Sequence, residues 1–526
     1  MHVCSPPTCS TPGSVSAVGF PTLRGGMFLM AALAAALSGC APGWRSDVEL
    51  ALRKAGPNRP ELERVLRLYR QGDDPQKYEA ACFLIANMEG HGFVDYALYD
   101  ASKNEIPFDA LAYADFPAAQ TAIDEIEKKH GAVDFARKSF VSDLETISAA
   151  LLIDNIEQAF SVWREKPWAK DVSWEAFREH ILPYRGSNEP LCSTRGSILR
   201  DCESVVAGAS PLPTASLGAA LRKNVDVWIQ FNELYYVHPT DQSYEEMRRS
   251  KRGRCEDITN MILYVMRAHG IPYAADYTPW WADRDNNHAW EVVLDSKGRG
   301  AAPMSNRAAK VFRKTFSAQR NTLAFTKGAD EQAPRWLDGR TFFDVTDQYL
   351  RTSDVTVKFD APKPPASRYA YLCVFNGGEW RPIYWGRIGN KQATFERMGR
   401  DIAYLPAYFA DSKLIPAAAP LILEKSGSVR VLLGDSPRLR EIHVVASKES
   451  TISPPGAPLV VNVPAPGECE LFMWKGEWKS LGKAKADSRS TPIGQAPDDA
   501  LLWLTSSDGR KLERIFTLGA EGPVWW

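Results

Sequence analysis

At 526 residues the chain exceeds one ordinary core, and at roughly 150 residues per unit it is expected to hold about three to four domains. Its 63 basic and 64 acidic side chains leave a net charge of -1, which provides no electrostatic footprint for a nucleic-acid backbone and excludes that class of partner. Hydrophobic residues at 44% and charged residues at 24% are the proportions of a globular protein, not of a disordered or fibrous one.

The first forty residues contain no Asp or Glu and run from Arg24 into "MFLMAALAAALSGC", Met27 to Cys40. The apolar stretch is about ten residues, too short to span a bilayer, and it ends in small residues and a cysteine, so 1–40 reads as a signal peptide. "LSGC" resembles the lipobox of bacterial lipoproteins. That resemblance implies a lipid on Cys40 and a membrane anchor in a bacterial cell envelope, on either its periplasmic or its surface face. Cleavage elsewhere, or a start at Met27, is the alternative.

Residues 41–205 are expected to form a helical region. "RPELERVLRLYRQ" sets Leu62, Val65, Leu66 and Tyr69 on one face, and Asp74 with Pro75 is the start signal of the next helix. Periodicity resumes in "SDLETISAALLIDNIEQAFSVW", Ser142 to Trp163. Pro183 then breaks a helix, which predicts a turn exposing Tyr184, Arg185 and Glu189, read as a helix stop with an Arg–carboxylate tie. Outside the signal segment the cysteines are Cys82, Cys192, Cys202, Cys255, Cys373 and Cys469; none forms a CxxC, which removes zinc-ribbon and thioredoxin motifs, and no metal or cofactor is called for. Cys192 and Cys202 are close enough in sequence to pair in an oxidising compartment, which leaves Cys255 free, although an even count permits other pairings.

The central region, 206–335, contains "RRSKRGRCEDITNMILYVMRAHGIPYAADYTPWWADRDNNHAWEVVLDSKGRG". Ile258, Met261, Ile262, Val265 and Met266 recur at helical spacing, and Gly270 with Pro272 predicts the helix stop. Cys255 therefore stands at a helix N-terminus, where the backbone N–H groups favour a thiolate and can hold an oxyanion. Arg249, Lys251, Arg252 and Arg254 push the same way, and Gly253 frees the backbone to enter the turn. Glu256 and Asp257 read as first-turn charges suited to the helix dipole. "IPYAADY" and "HAWEVVLD" are strand candidates, and His288 opens the second. Histidine is the side chain best matched to act as base toward a thiol near neutral pH. Trp280, Trp281 and Trp290 are expected to wall the cleft.

These residues, "GRCEDITNMILYVMRAHGIPYAADY" followed by "NHAWEVV", resemble the core of the transglutaminase-like branch of papain-like thiol enzymes. With its "LSGC", "ILPYR", "DVTDQY" and "ERIFTLGAEGPVWW", the whole chain is similar to large bacterial envelope lipoproteins carrying such a core. The resemblance implies a nucleophile at Cys255, its base at His288, and action on amide bonds of a peptide, a Gln side chain or a peptidoglycan stem. It also implies an acidic residue on the next strand to orient the histidine. Here the sequence departs, giving "GRGAAPMSN" with no carboxylate between Asp295 and Asp330. Ser305 and Asn306 are the nearest polar side chains, and Asn306 is the amide able to take the orienting role. The alternative is a non-catalytic envelope lipoprotein whose core and β modules bind peptide or glycan.

Beyond about Phe342 short β-type runs separated by Gly, Pro and Asp predict antiparallel β-sandwich modules over 336–430 and 431–526. "LCVFNGGEWRPIYWGRI" and "LFMWKGEWKSLGKA" echo each other, each reading as strand, Gly turn, Trp and second strand, with Trp380 and Trp478 in matching places. The expected class is α+β multidomain: a helical N-terminal region, a papain/transglutaminase-like core, and C-terminal antiparallel β-sandwich modules.

Overall fold

A computed structural model describes residues 42–209, 214–449, 451–454, 456–506 and 514–526. The expected signal peptide, with Cys40, lies outside the described residues. Among those described, no helix is long and apolar enough to cross a membrane.

Helices α1 (Pro42–Lys54), α2 (Arg59–Gln71) and α3 (Pro75–Ala86) open the chain. Helix α2 buries Leu62, Val65 and Tyr69, the face its spacing predicts, and Asp74 caps α3 by accepting the Lys77 N–H at 3.4 Å. The expected helical region 41–205 is interrupted by strands β1 (Gly92–Asp100), β2 (Glu105–Ile106) and β3 (Val133–Ser142), in the antiparallel order β2-β1-β3, with α4 (Phe116–His130) between β2 and β3. Most of β3 is exposed, so it lacks the alternation that marks a half-buried strand. Helices α5 (Ala149–Glu165) and α6 (Trp174–His180) then return, and Leu152, Ile156, Phe160 and Phe177 close a core with Leu62, Val65, Phe83 and Ile85.

The turn after α6 departs from expectation: Tyr184, Arg185 and Glu189 are buried, not exposed. Arg185 donates to Asp143 at 2.7 Å through Nε and at 2.5 Å through Nη2, and Tyr184 Oη donates to the same carboxylate at 3.1 Å. Glu189 accepts the N–H groups of Gly186 and Ser187 at 2.8 and 2.7 Å, and the Tyr264 hydroxyl. Cys192 and Cys202 are also corrected, since both are unpaired thiols. The helix Arg195–Asp201 lies between them. At 1.5 Å per residue that helix alone is roughly 10 Å long, more than a disulfide spans.

Tyr264 belongs to α8 (Cys255–Ala268), which packs against α7 (Thr214–Trp228) on one side and a four-stranded antiparallel sheet on the other. The sheet has the order β5-β4-β6-β7, with β4 Tyr273–Thr278, β5 His288–Val293, β6 Phe312–Lys314 and β7 Phe342–Asp344. The apolar spacing of α8 predicts one buried face, yet its polar residues are buried too. Arg267 Nη1 donates to the Arg185 carbonyl at 2.6 Å, and Tyr264 reaches Glu189, so the ILPYR turn covers the polar side. Gly270 ends the helix at φ +72°, and a Cβ there would lie 2.7 Å from Val162 Cγ1.

His180, at the end of α6, is buried, and that burial, reinforced by Arg313 and Arg267, pushes its pKa down to about 3. The unfolded chain takes up this proton near pH 6.5 while the fold does not, so stability is complete above that value and is lost as pH falls toward about 3. Between pH 7 and pH 5 the wild type is expected to lose about 2 kcal/mol more than His180→Gln in urea unfolding. Equal losses in the two proteins would refute the assignment.

The C-terminal part is β-structure. Strands Tyr369–Asn376, Glu379–Arg387, Ile402–Ala410, Lys413–Pro416, Leu421–Leu423 and Val429–Val431 form one sheet, faced by the pair Thr352–Lys358 and Gln392–Gly399. A second unit has a five-stranded sheet from Gly467–Trp474 to Pro523–Trp525 and a three-stranded one. Antiparallel pairing dominates, with Leu439–Ala446 and Leu459–Val463 running parallel. The two echoed hairpins are present, and their tryptophans meet: Trp380 packs edge-on against Trp474 at 5.8 Å, and Trp474 against Trp478 at 5.0 Å.

Candidate active site

Cys255 is the first residue of α8 and is half-buried. Three local devices fix it there. The Asp257 carboxylate turns back to accept the N–H groups of Arg254 and Gln242, each at 2.9 Å, so this charge acts as a cap. Gly253 is required by that cap, because a Cβ on it would stand 2.7 Å from Asp257 Cβ. The segment Gln230–Phe231 pairs in parallel with Arg252–Gly253, which holds the following turn, Glu233–Val237, against the helix start.

That turn supplies a side chain the sequence did not single out. Tyr236 Oη lies 3.9 Å from Cys255 Sγ, and burial, then the neighbouring sulfur, push its pKa up to about 12, so it stays protonated. Of the four cations expected to act on the sulfur, Arg254 is ion-paired. Arg254 binds Asp241, and Glu256 binds Lys314. Burial opposes the Glu256 charge, but Lys314 and then Arg254 outweigh it and hold that carboxyl down at about 2. The expected cationic push on the sulfur is therefore partly spent on Asp241, and neither Glu256 nor Asp257 is free for proton transfer.

His288 opens β5, in register with Thr278 of β4. Cys255 and His288 line one cleft of about 470 Å³ with Trp281, Trp290, Ser305 and Asn306. Trp280 does not line it, which corrects the expectation of three walling tryptophans. The chain bends at Trp280 and is held at Trp281 by a bridge to Ala308, so Trp281 lines the cleft while Trp280 packs against Trp336 at 5.7 Å and beneath Arg381. The cleft also holds Arg222 of α7, ion-paired with Glu291 of β5.

No hydrogen bond joins Cys255 to His288, and among the described residues neither ring nitrogen of His288 has a hydrogen-bond partner. Asn306 lines the cleft without reaching the ring. The imidazole instead packs beside two indoles that also pack on each other, its centroid 5.6 Å from Trp290 and 6.1 Å from Trp281, with the planes tilted by 29° and 30° and the indole centroids 6.1 Å apart. His288 is exposed, and the partial burial of its ring alone lowers its pKa, so the neutral base form is favoured at neutral pH.

The loop before His288 is held from both C-terminal β units. Buried Asn376 donates to the carbonyls of Trp281, Arg284 and Asn286, each at 3.0 Å, and accepts the Asn286 N–H at 3.2 Å. Arg514 adds a 2.5 Å bond to the Ala282 carbonyl. Neither residue carries a local sequence signal, because each meets the loop only through tertiary folding.

A family model described as the transglutaminase-like superfamily matches residues 214–300, a stretch that contains both Cys255 and His288. This part of the chain is transglutaminase-like. No curated protein matches the chain.

Proposed function

We propose that the chain is a thiol enzyme acting on amide bonds, with a peptide, a Gln side chain or a peptidoglycan stem as substrate. The observation that carries the proposal is that Cys255, at the start of a buried helix, and His288, both within the transglutaminase-like region, line a single tryptophan-walled cleft. His288 takes the thiol proton, and the thiolate attacks the amide carbonyl. First-turn N–H groups, which lack partners within the helix, and the Tyr236 hydroxyl stabilise the oxyanion. Collapse breaks the C–N bond, the imidazolium gives its proton to the leaving amine, and a thioester remains on Cys255. Water or a second amine, deprotonated by His288, then attacks the thioester and regenerates the thiol. The "LSGC" segment supports anchoring of this enzyme in a bacterial envelope through lipid on Cys40.

The test is capture of the acyl-enzyme. The protein is incubated with a Gln-bearing peptide or a peptidoglycan stem peptide, and Cys255 is examined by peptide mass mapping. A thioester on Cys255 with release of ammonia or amine is the expected result, and His288→Ala is expected to slow iodoacetamide alkylation of Cys255 at pH 7 by about tenfold or more. No acylation by either peptide, together with equal alkylation rates in wild type and variant, would sink the proposal.

A further inference from the structure

His288 lacks a hydrogen-bonded orienting partner, yet the tryptophan stacked on it belongs to a fully hydrogen-bonded chain. Trp290 Nε1 donates to Tyr349 Oη at 3.0 Å. Tyr349 Oη donates to Asp276 Oδ2 at 2.7 Å, and burial, then Asp276, raises its pKa, which keeps the hydroxyl proton in place. Asp276 is held by Arg313, Nε to Oδ1 at 2.8 Å and Nη2 to Oδ2 at 2.7 Å, with both side chains fully buried. Nη1 and Nη2 of Arg313 also donate to the Gly298 and Gly300 carbonyls at 3.1 and 2.7 Å, at the head of the segment that lacks the expected carboxylate.

A buried ion pair is a costly way to fill a core, since apolar residues of similar volume are commonly as stable or more so. Satisfied networks of this kind have a different effect: they fix one geometry. Not every tryptophan here is so held, because the buried Trp280 indole N–H has no partner in the structure. We infer that Asp276 and Tyr349 are positioning residues for His288, acting through the Trp290 ring in place of the carboxylate that the sequence lacks. This inference rests on the Cys255–His288 reading above. Asp276 sits opposite Trp290 in the β4–β5 register, and Tyr349 bridges the two.

Tyr349→Phe deletes only the hydroxyl and keeps the ring that packs edge-on against Trp290 at 5.7 Å. Tyr404→Phe is the matched control, since that buried hydroxyl bonds the Gly399 carbonyl away from the cleft. Two readouts are used on the full chain: the His288 titration followed by the NMR shift of its ring proton, and Cys255 alkylation by iodoacetamide against pH. Burial is what depresses the His288 pKa, and no charged group contributes to that shift. Loosening Trp290 is therefore expected to move the midpoint up toward the ordinary value and to slow alkylation at pH 7 by roughly threefold to tenfold. Trp290→Phe, which drops the indole N–H, is expected to move both readouts the same way, and it serves if Tyr349→Phe fails to fold. The inference is overturned if these variants match Tyr404→Phe in the His288 titration. If His288→Ala leaves Cys255 alkylation unchanged, the Cys–His reading fails, while the titration still decides whether Tyr349 positions the ring.

Discussion

Cys255→Ala is expected to reduce amide turnover by at least about 10⁴-fold in kcat, with the unfolding transition displaced by no more than about 0.5 kcal/mol. The asymmetry follows from where the residue sits. Its sulfur is half-buried at the lip of the cleft, and Tyr236 at 3.9 Å is its hydrogen-bond neighbour among the described residues. The cap that holds the helix start is made by Asp257 and backbone N–H groups, so it survives the substitution. Alanine is also the most favourable helix residue, which leaves the first turn intact. What disappears is the one atom able to form the thioester. A variant retaining more than about a tenth of the wild-type rate would exclude Cys255 as the nucleophile, whatever its effect on stability.

Arg185→Leu is expected to destabilise the protein by about 3–5 kcal/mol, the largest stability effect predicted for any single side chain here. Arg185 and Asp143 are each 1% exposed and Glu189 is 0% exposed at the side chain. Removing the guanidinium leaves Asp143 with a single hydroxyl donor, Tyr184, and strips a cation from beside Glu189. The turn also holds α8 through Tyr264 and through the Arg267 bond to the Arg185 carbonyl, so the damage reaches the helix that carries Cys255. Replacing both partners, Arg185→Leu with Asp143→Leu, is expected to recover part of the loss, because no carboxylate is then stranded opposite the missing guanidinium. Urea unfolding measures both. A loss below about 1 kcal/mol for Arg185→Leu, the size of an exposed pair, would contradict the buried-network account.

Local chemistry made much of this architecture legible. The Asp74–Pro75 start, the Gly270 stop and the β4 and β5 strands each depend on a few neighbouring residues, and each is found where its signal lies. The β1–β3 sheet was missed because β3 is mostly solvent-facing, so pairing with β1 rather than an apolar pattern makes it a strand. The turn at Pro183 was recognised as a turn with an Arg–carboxylate tie, but its burial depends on Asp143, 42 residues away.

The same division runs through the candidate site. By itself the sequence determined a cysteine at a helix start, a histidine at a strand start, and the absence of the expected carboxylate between Asp295 and Asp330. These follow from helix termini, strand alternation and residue identity, all properties of short segments. Only the tertiary structure decided that Trp281 and not Trp280 faces the cleft, that Tyr236 stands by the sulfur, and that Asn376 ties down the loop before His288. It also joined Trp290, the ring beside His288, to Asp276 through the Tyr349 hydroxyl. Hydrogen bonds between residues tens of positions apart leave no periodicity in a chain, and they become specific only when packing fixes both ends.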